Sequence, residues 1–179
     1  METDGMKPQK PDLVKLIIGI LYSDEGLLKK ALNLLEKRYG EMDFQSHPFE
    51  FTVTDYYVSE MGSPLFRMFV SFKKLIYPKR IARIKIETNG IEEQLSIKSK
   101  RKVNLDSGYM DYDKVVLTSV KYNGQKIYLD HGIWADLTLH YEKGKYDPYP
   151  WSFPDFKKGL YNEVFLRIRE RYKVQRKKV

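Results

Sequence analysis

Cysteine is absent from all 179 residues, which excludes thiolate catalysis, cysteine-based zinc sites and a disulfide framework together. Histidine is scarce: His47, His131 and His140 are too scattered to form a metal motif. No GxxxxGK[ST] phosphate loop and no GxGxxG fingerprint occurs, so neither a standard nucleoside triphosphatase nor a dinucleotide oxidoreductase is supported. A two-histidine phosphoesterase needs two His-x-Thr/Ser motifs, but Gly-Ile follows His131 and Tyr-Glu follows His140. Long apolar runs are missing too. The longest, LIIGILY at 16–22, falls far short of the roughly 20 residues that span a bilayer, and no small-residue cleavage site follows it. A soluble, cytoplasmic protein without a membrane partner is expected.

Charge is plentiful. Charged residues make up 31% of the chain, a balance that leans towards thermophile composition. The net charge of +8 is unevenly placed, because RIRERYKVQRKKV at 167–179 holds seven basic residues and one acid. The basic character is therefore mostly a property of the C-terminus. It reads as a solvated helix end whose cations complement the helix dipole, or as a contact for RNA phosphates.

Periodicity outlines the fold. Residues 1–11 lack it and are expected to form a disordered leader, followed by a single domain over 12–172 and a basic tail at 173–179. The run LVKLIIGILY reads as a strand and meets SDEG, where Ser23 or Asp24 can cap a helix carrying Leu27, Leu28, Ala31, Leu32, Leu35 and Tyr39 on one face. Gly40 suits its end. FEFTVTDYY and LFRMFVSFKKL read as strands, and PKRIARIKIETNGIEEQL as a second helix despite Asn89-Gly90 inside it. KVNL, KVVLTSV, QKIYL and IWADLTLHYEKG supply further strands, and a helix with Tyr161, Val164, Phe165, Ile168 and Tyr172 on one side closes the chain. This order predicts an α+β sandwich, a mostly antiparallel sheet with about three helices and a ferredoxin-like first half.

Four stretches place polar residues where chemistry could use them. RKVNLDSGYM sets Arg101, Asn104, Asp106 and Tyr109 around an expected tight turn at Ser107-Gly108, and Arg101 offers a planar donor fork for phosphate or carboxylate. Ordinary turn chemistry accounts for the same residues. IKIETNGIEEQL brings Lys85, Thr88, Asn89 and Glu92 together at helical spacing, which a solvated helix face explains as well. In FTVTDYYVSEMGSPLFR, Asp55, Tyr56, Tyr57 and Glu60 follow a strand and Arg67 opens the next; the paired carboxylates suit a metal, a general base or a soluble loop. Ser119, Lys121, Asp136 and Thr138 form the fourth set, in which a covered Asp136 would need Lys121 or Arg101 as partner. The strap YDPYPWSFPDF at 146–156 reads as packing for Trp151, Phe153 and Phe156, with Asp155 an N-cap or the lid of a mouth between Arg101 and Lys121.

In this order, GILYSDE, FTVTDYYVSEMGSPLFR, IKIETNGIE, RKVNLDSGYM, IWADLTLHY and PWSFPDF resemble an uncharacterised prokaryotic family, domain of unknown function 4416, over about residues 12–172. The family pattern maps onto Asp55, Tyr56, Arg67, Lys85, Asn89, Glu92, Arg101, Asn104, Asp106, Gly108, Tyr109, Lys121, Asp136, Thr138, Trp151, Pro154 and Asp155. The resemblance implies no established activity, and the GTP-binding label some members carry finds neither a phosphate loop nor an NKxD motif here. Asp106-Ser107-Gly108 replaces the family's usual Asp-Pro-Gly, and Gln125-Lys126 its usual His-Arg.

The combined expectation is a polar pocket for an anionic, phosphorylated ligand such as a nucleotide or RNA end, lined by Arg67, Lys85, Asn89, Arg101, Asn104, Asp106, Tyr109, Lys121 and Asp155. A metal-dependent phosphoester hydrolase or transferase is the alternative, with Asp55, Glu92 and Asp136 as ligands for a divalent metal. An RNA-associated protein working through the basic tail is a third.

Overall fold

The computed structural model describes residues 7–179. The expected leader lies partly outside the described residues; of it, residues 7–11 are exposed and in neither helix nor strand. Nine strands form one antiparallel sheet: β1 (Val14–Tyr22), β2 (Met42–Gln45), β3 (Phe49–Glu50), β4 (Phe66–Ile76), β5 (Val103–Met110), β6 (Lys114–Ser119), β7 (Ile127–Asp130), β8 (Ile133–Glu142) and β9 (Lys145–Pro148). The main path runs β2-β4-β1-β5-β6-β8-β7, with β3 beside β4 and β9 beside β8. Three long helices, α1 (Glu25–Tyr39), α3 (Ile81–Gln94) and α5 (Asn162–Arg176), and two short ones, α2 (Val58–Met61) and α4 (Pro154–Lys157), complete the α+β fold. The first half, β1-α1-β2-β4-α3-β5, has the strand order β2-β4-β1-β5 of a ferredoxin-like unit.

β1 is buried along its whole length, as expected of a central strand covered on both faces. Alternation along it divides the core. Leu16, Ile18 and Ile20 pack with Met68, Val70, Phe72, Val103 and Leu105 under α1 and α3, whereas Ile17 packs with Phe69, Phe156, Tyr161 and Phe165 under α4 and α5. Asp24 caps α1, its Oδ1 accepting from Leu27 N–H at 2.7 Å, and Gly40 ends the helix at φ 90°. α3 runs unbroken through Asn89-Gly90.

Two expectations need correction. The strand expected over FEFTVTDYY is confined to Phe49–Glu50; the chain then turns inward so that Phe51, Met61 and Leu65 pack on Leu21 in a separate small core. The tight turn expected at Ser107-Gly108 is a strand instead. Residues 103–110 form one continuous β5, with Ser107 and Gly108 buried at its centre. Gly108 serves close strand approach there, since a Cβ would lie 2.2 Å from the Val116 carbonyl oxygen of β6. The basic C-terminus is also more structured than a tail, because α5 extends through Arg176, which pairs with Asp12 at 2.6 Å.

Candidate functional site

The site begins where the sheet divides. β5 and β6 pair at Gly108–Leu117, Tyr109–Val116 and Met110–Val115, and beyond Gly108 they separate. Each backbone group left along the opened edge of β5 must find another partner or lose about 1–3 kcal/mol. Side chains supply them. Thr118 Oγ1 donates to the Ser107 carbonyl at 2.7 Å, Lys85 Nζ to the Leu105 carbonyl at 3.0 Å, and Glu92 Oε1 accepts from Leu105 N–H at 2.6 Å. Lys85 and Glu92 are accordingly buried, not a solvated helix face.

A cleft of two adjoining lobes occupies this split. The larger, about 270 Å³, is lined by residues that include Tyr57, Arg67, Asp106, Thr118, Lys121, Lys126, Asp136, Thr138, Ser152 and Phe153. The smaller, about 200 Å³, lies towards α3 and is lined by residues that include Lys85, Asn89, Glu92, Arg101 and Asn104. Tyr57, Asp106, Thr118, Ser119 and Lys121 border both.

The floor is a buried charge chain. Arg67 on β4 and Asp106 on β5 flank β1, about 10 Å apart by strand spacing. They meet nevertheless, Nη1 to Oδ2 at 2.9 Å: Arg67, paired with Leu21, reaches diagonally past Gly19, the β1 residue opposite Asp106, where a Cβ would stand 3.4 Å from Arg67 Nη1 and 3.0 Å from the Phe69 ring. Arg67 Nε lies 3.3 Å from Asp155 Oδ2, which also accepts from Tyr161 Oη at 2.6 Å, and the guanidinium carbon lies 4.9 Å from the centre of the Phe51 ring. Burial opposes the charge on both Arg67 and Asp106, but their mutual attraction prevails, holding the Arg67 pKa above and the Asp106 pKa below the usual range. Lys85 adds to the lowering at Asp106. Three buried polar atoms around this chain have no hydrogen-bond partner: Arg67 Nε, Asp155 Oδ1 and Asn104 Nδ2.

The α3 side is a second, more saturated network. Arg101 binds both oxygens of Glu60, at 2.8 and 3.0 Å, reaches Asn104 Oδ1 at 2.9 Å and lies 3.5 Å from Glu92. The hydrogen bonds from Arg101 depress the Glu60 pKa, whereas burial raises that of Glu92 against the pull of Lys85. On the opposite wall Lys126 donates to Ser119 Oγ at 3.0 Å and lies 3.9 Å from Asp136. Burial raises the Asp136 pKa, Lys126 opposes it, and Asp136 Oδ1 has no partner. Lys121 stands at the exposed rim, with Tyr56 Oη at 3.4 Å and the centre of the Tyr56 ring at 5.7 Å.

Of the expected ligand residues, Arg67, Lys85, Asn89, Arg101, Asn104, Asp106 and Lys121 converge on this cleft, and Asp155 sits beneath it. Asp155 is therefore floor, buried against Arg67, and not the lid of a mouth. Tyr109 does not belong to the site, because strand alternation turns it from Asp106 into the core under α1 and α3. The carboxylates expected to share a metal do not form one group: Asp55 is exposed in a turn, Glu92 is fixed to Leu105 N–H and Arg101, and Asp136 lies on the far wall. Among the described residues, His140, Glu142 and Asp147 on the β8–β9 edge could close on one cation, but they are partly or fully exposed and Lys145 already pairs with Asp147 at 2.9 Å.

Thr118, Lys126 and Ser152 are lining residues that the sequence reading did not assign. Thr118 could have been found from register alone, since it stands next in line across from Ser107. Ser152 enters through the strap, where its Oγ donates to the Thr138 carbonyl at 2.6 Å beside Trp151 Nε1 donating to that of Leu137 at 2.7 Å. Of the strap aromatics, Phe156 is core, whereas Trp151 and Phe153 are exposed.

No helix among the described residues is long and apolar enough to cross a membrane. No curated protein and no solved structure matches the chain. One family does, over residues 12–172, and the chain that builds this cleft belongs to it: domain of unknown function (DUF4416).

Proposed function

We propose that the β5–β6 cleft binds a small phosphorylated ligand, a nucleotide or the end of an RNA strand. Its phosphate lies at the Lys121 and Lys126 rim, and its hydrogen-bonding head group lies in the larger lobe against Asp106, Asp136 and Thr118. The observation that carries this reading is the state of the cations. Arg67 and Arg101 are already neutralised by carboxylates and Lys85 is held by a carbonyl, whereas the Lys121 ammonium contacts only Tyr56 among the described residues. A free ammonium beside a tyrosine ring, with the Ser119 hydroxyl lining the same lobe, suits a phosphate above a stacked or hydrogen-bonded head group. The unpartnered Asp136 Oδ1 offers that group an acceptor.

A metal-dependent phosphoester reaction finds less support, because Glu60, Glu92, Asp106 and Asp155 each face a guanidinium that would compete with the ion.

Calorimetry with nucleoside monophosphates, matched against the unphosphorylated nucleosides, tests the proposal. Phosphate-dependent binding is expected, with Lys121→Ala weakening it about tenfold while the fold persists, since Lys121 is exposed. Equal affinity for nucleoside and nucleotide, or binding indifferent to Lys121, would remove the proposal.

A further inference from the structure

The sheet ends at β7, and this edge differs from the others. The β2 edge is dressed by α5, from which Arg171 donates to the Asp43 carbonyl at 2.9 Å and covers the Phe44 ring at 4.9 Å. The gap on β8 between β7 and β9 is closed by Trp151 and Ser152, which take the Leu137 and Thr138 carbonyls. β9 ends in Pro148, which has no N–H to offer. β7 has no such cover among the described residues, although its pairing with β8 shifts register between Tyr128 and Asp130. All four of its residues are exposed, although three are apolar: Ile127 at 60%, Tyr128 at 54% and Leu129 at 37%. A bare, apolar edge strand is a template for pairing with another chain.

The order of residues indicates which chain. Lys126-Ile127-Tyr128-Leu129-Asp130 is complementary to itself when laid antiparallel about Tyr128. In that register Lys126 faces Asp130 of the second copy, Ile127 faces Leu129, and Tyr128 faces Tyr128. The two-fold axis then repeats both pairs, so one short strand supplies two opposite-charge pairs and two aliphatic pairs. A one-residue slip would put like with unlike and turn each side chain to the wrong face. Lys126 already donates to Ser119 Oγ at 3.0 Å and to the Lys121 carbonyl at 3.3 Å, so the new carboxylate takes its third donor, in place of the loose 3.9 Å approach to Asp136. Tyr128 packs edge-on against Trp134 at 5.1 Å, and Tyr122 flanks the same ring at 5.0 Å, so the aromatic face beside the strand doubles across the junction.

We infer that β7 pairs with β7 of a second copy of this chain, in antiparallel register centred on Tyr128, to make one sheet continuous through a symmetric dimer. The pairing places Asp130 of the second copy beside Lys126, a wall residue of the cleft.

Sedimentation velocity of the full chain over a concentration series tests this inference independently of any ligand. A monomer–dimer equilibrium is expected. Ile127→Glu and Leu129→Lys should each weaken it about tenfold or more. The combined Ile127→Glu/Leu129→Lys chain should recover the dimer, because each glutamate then faces a lysine. Circular dichroism confirms folding of these exposed-site variants. As a second route, Tyr128→Cys is the sole thiol in a cysteine-free chain, and a short bis-maleimide should join two copies, whereas Lys143→Cys at the far end of β8 should not. A chain monomeric throughout, single variants that leave the dimer intact, a double variant no better than either single, or absence of the Tyr128→Cys cross-link would each overturn the inference.

Discussion

Two buried cations point from neighbouring strands towards the α5 side of the sheet, and they are partnered differently. Lys15 on β1 is fully buried and spends its three donors on Asp43 at 2.5 Å, the Phe72 carbonyl at 2.9 Å and Gln175 Oε1 at 2.8 Å. Burial draws its pKa down and Asp43 opposes that shift. Arg67 on β4 is almost as buried, yet its Nε has no hydrogen-bond partner, and neither has Oδ1 of the Asp155 carboxylate beside it. The first network is closed and ties β1, β2 and α5 together. The second is open on a cavity. A buried charge alone therefore marks neither stability nor function; the unmet hydrogen-bonding capacity around it separates the two.

The largest test of that contrast removes each cation. Lys15→Ala and Arg67→Ala should each lower stability by about 3–5 kcal/mol in urea unfolding, because each strands a carboxylate. Apolar replacement of the partners as well then separates them. Lys15→Met with Asp43→Leu should recover most of the loss and leave ligand binding unchanged, whereas Arg67→Met needs both Asp106→Leu and Asp155→Leu to recover stability, and should do so without recovering binding.

Gly19→Val should cost about 1–3 kcal/mol by overpacking against Phe69 and should also push Arg67 off Asp106, so that binding falls with stability. A stability loss with calorimetric affinity unchanged would show that the pair is dispensable for the site.

Acid provides a gentler probe. The folded-state pKa of Asp106 is depressed, so its contribution is present above the ordinary carboxylate value near pH 4 and is lost as pH falls through the folded value. The stability gap between the wild-type chain and Asp106→Asn should therefore narrow as thermal melts are carried below about pH 4. In the closed network, Gln175→Ala takes one acceptor from the buried Lys15 ammonium and should cost about 1.5–3 kcal/mol, the worth of a hydrogen bond to a charged group, with ligand binding unchanged.

Much of the fold was legible because apolar periodicity carries it. β1, α1, α3 and the buried stripe of α5 all follow from spacing, and with them the ferredoxin-like order. What misled was local turn chemistry. Asp-Ser-Gly reads as a turn in isolation, but here Gly108 is small so that two strands can touch, a reason that lies on β6 and not in the tripeptide. The same misreading placed Tyr109 in the site. The cations Arg67, Lys85, Arg101 and Lys121 could be named as a set because polar residues interrupted packed segments. Which of them were already neutralised depended on Glu60, Asp106 and Asp155, contacts across 39 to 88 residues of chain that no window of sequence contains. Lys15 escaped notice for the opposite reason, lying in an apolar run where a lysine reads as surface.

Gly19 carries no functional group and would be passed over in any search for catalytic or binding side chains. Yet the Arg67 guanidinium passes close over it to reach Asp106, and the Phe69 ring packs on the same spot. A saturation scan scored on binding should therefore rank position 19 with the charged residues and above most of the cleft's own lining. Its profile should also be unusual, with every substitution damaging and none of them rescued by restoring polarity.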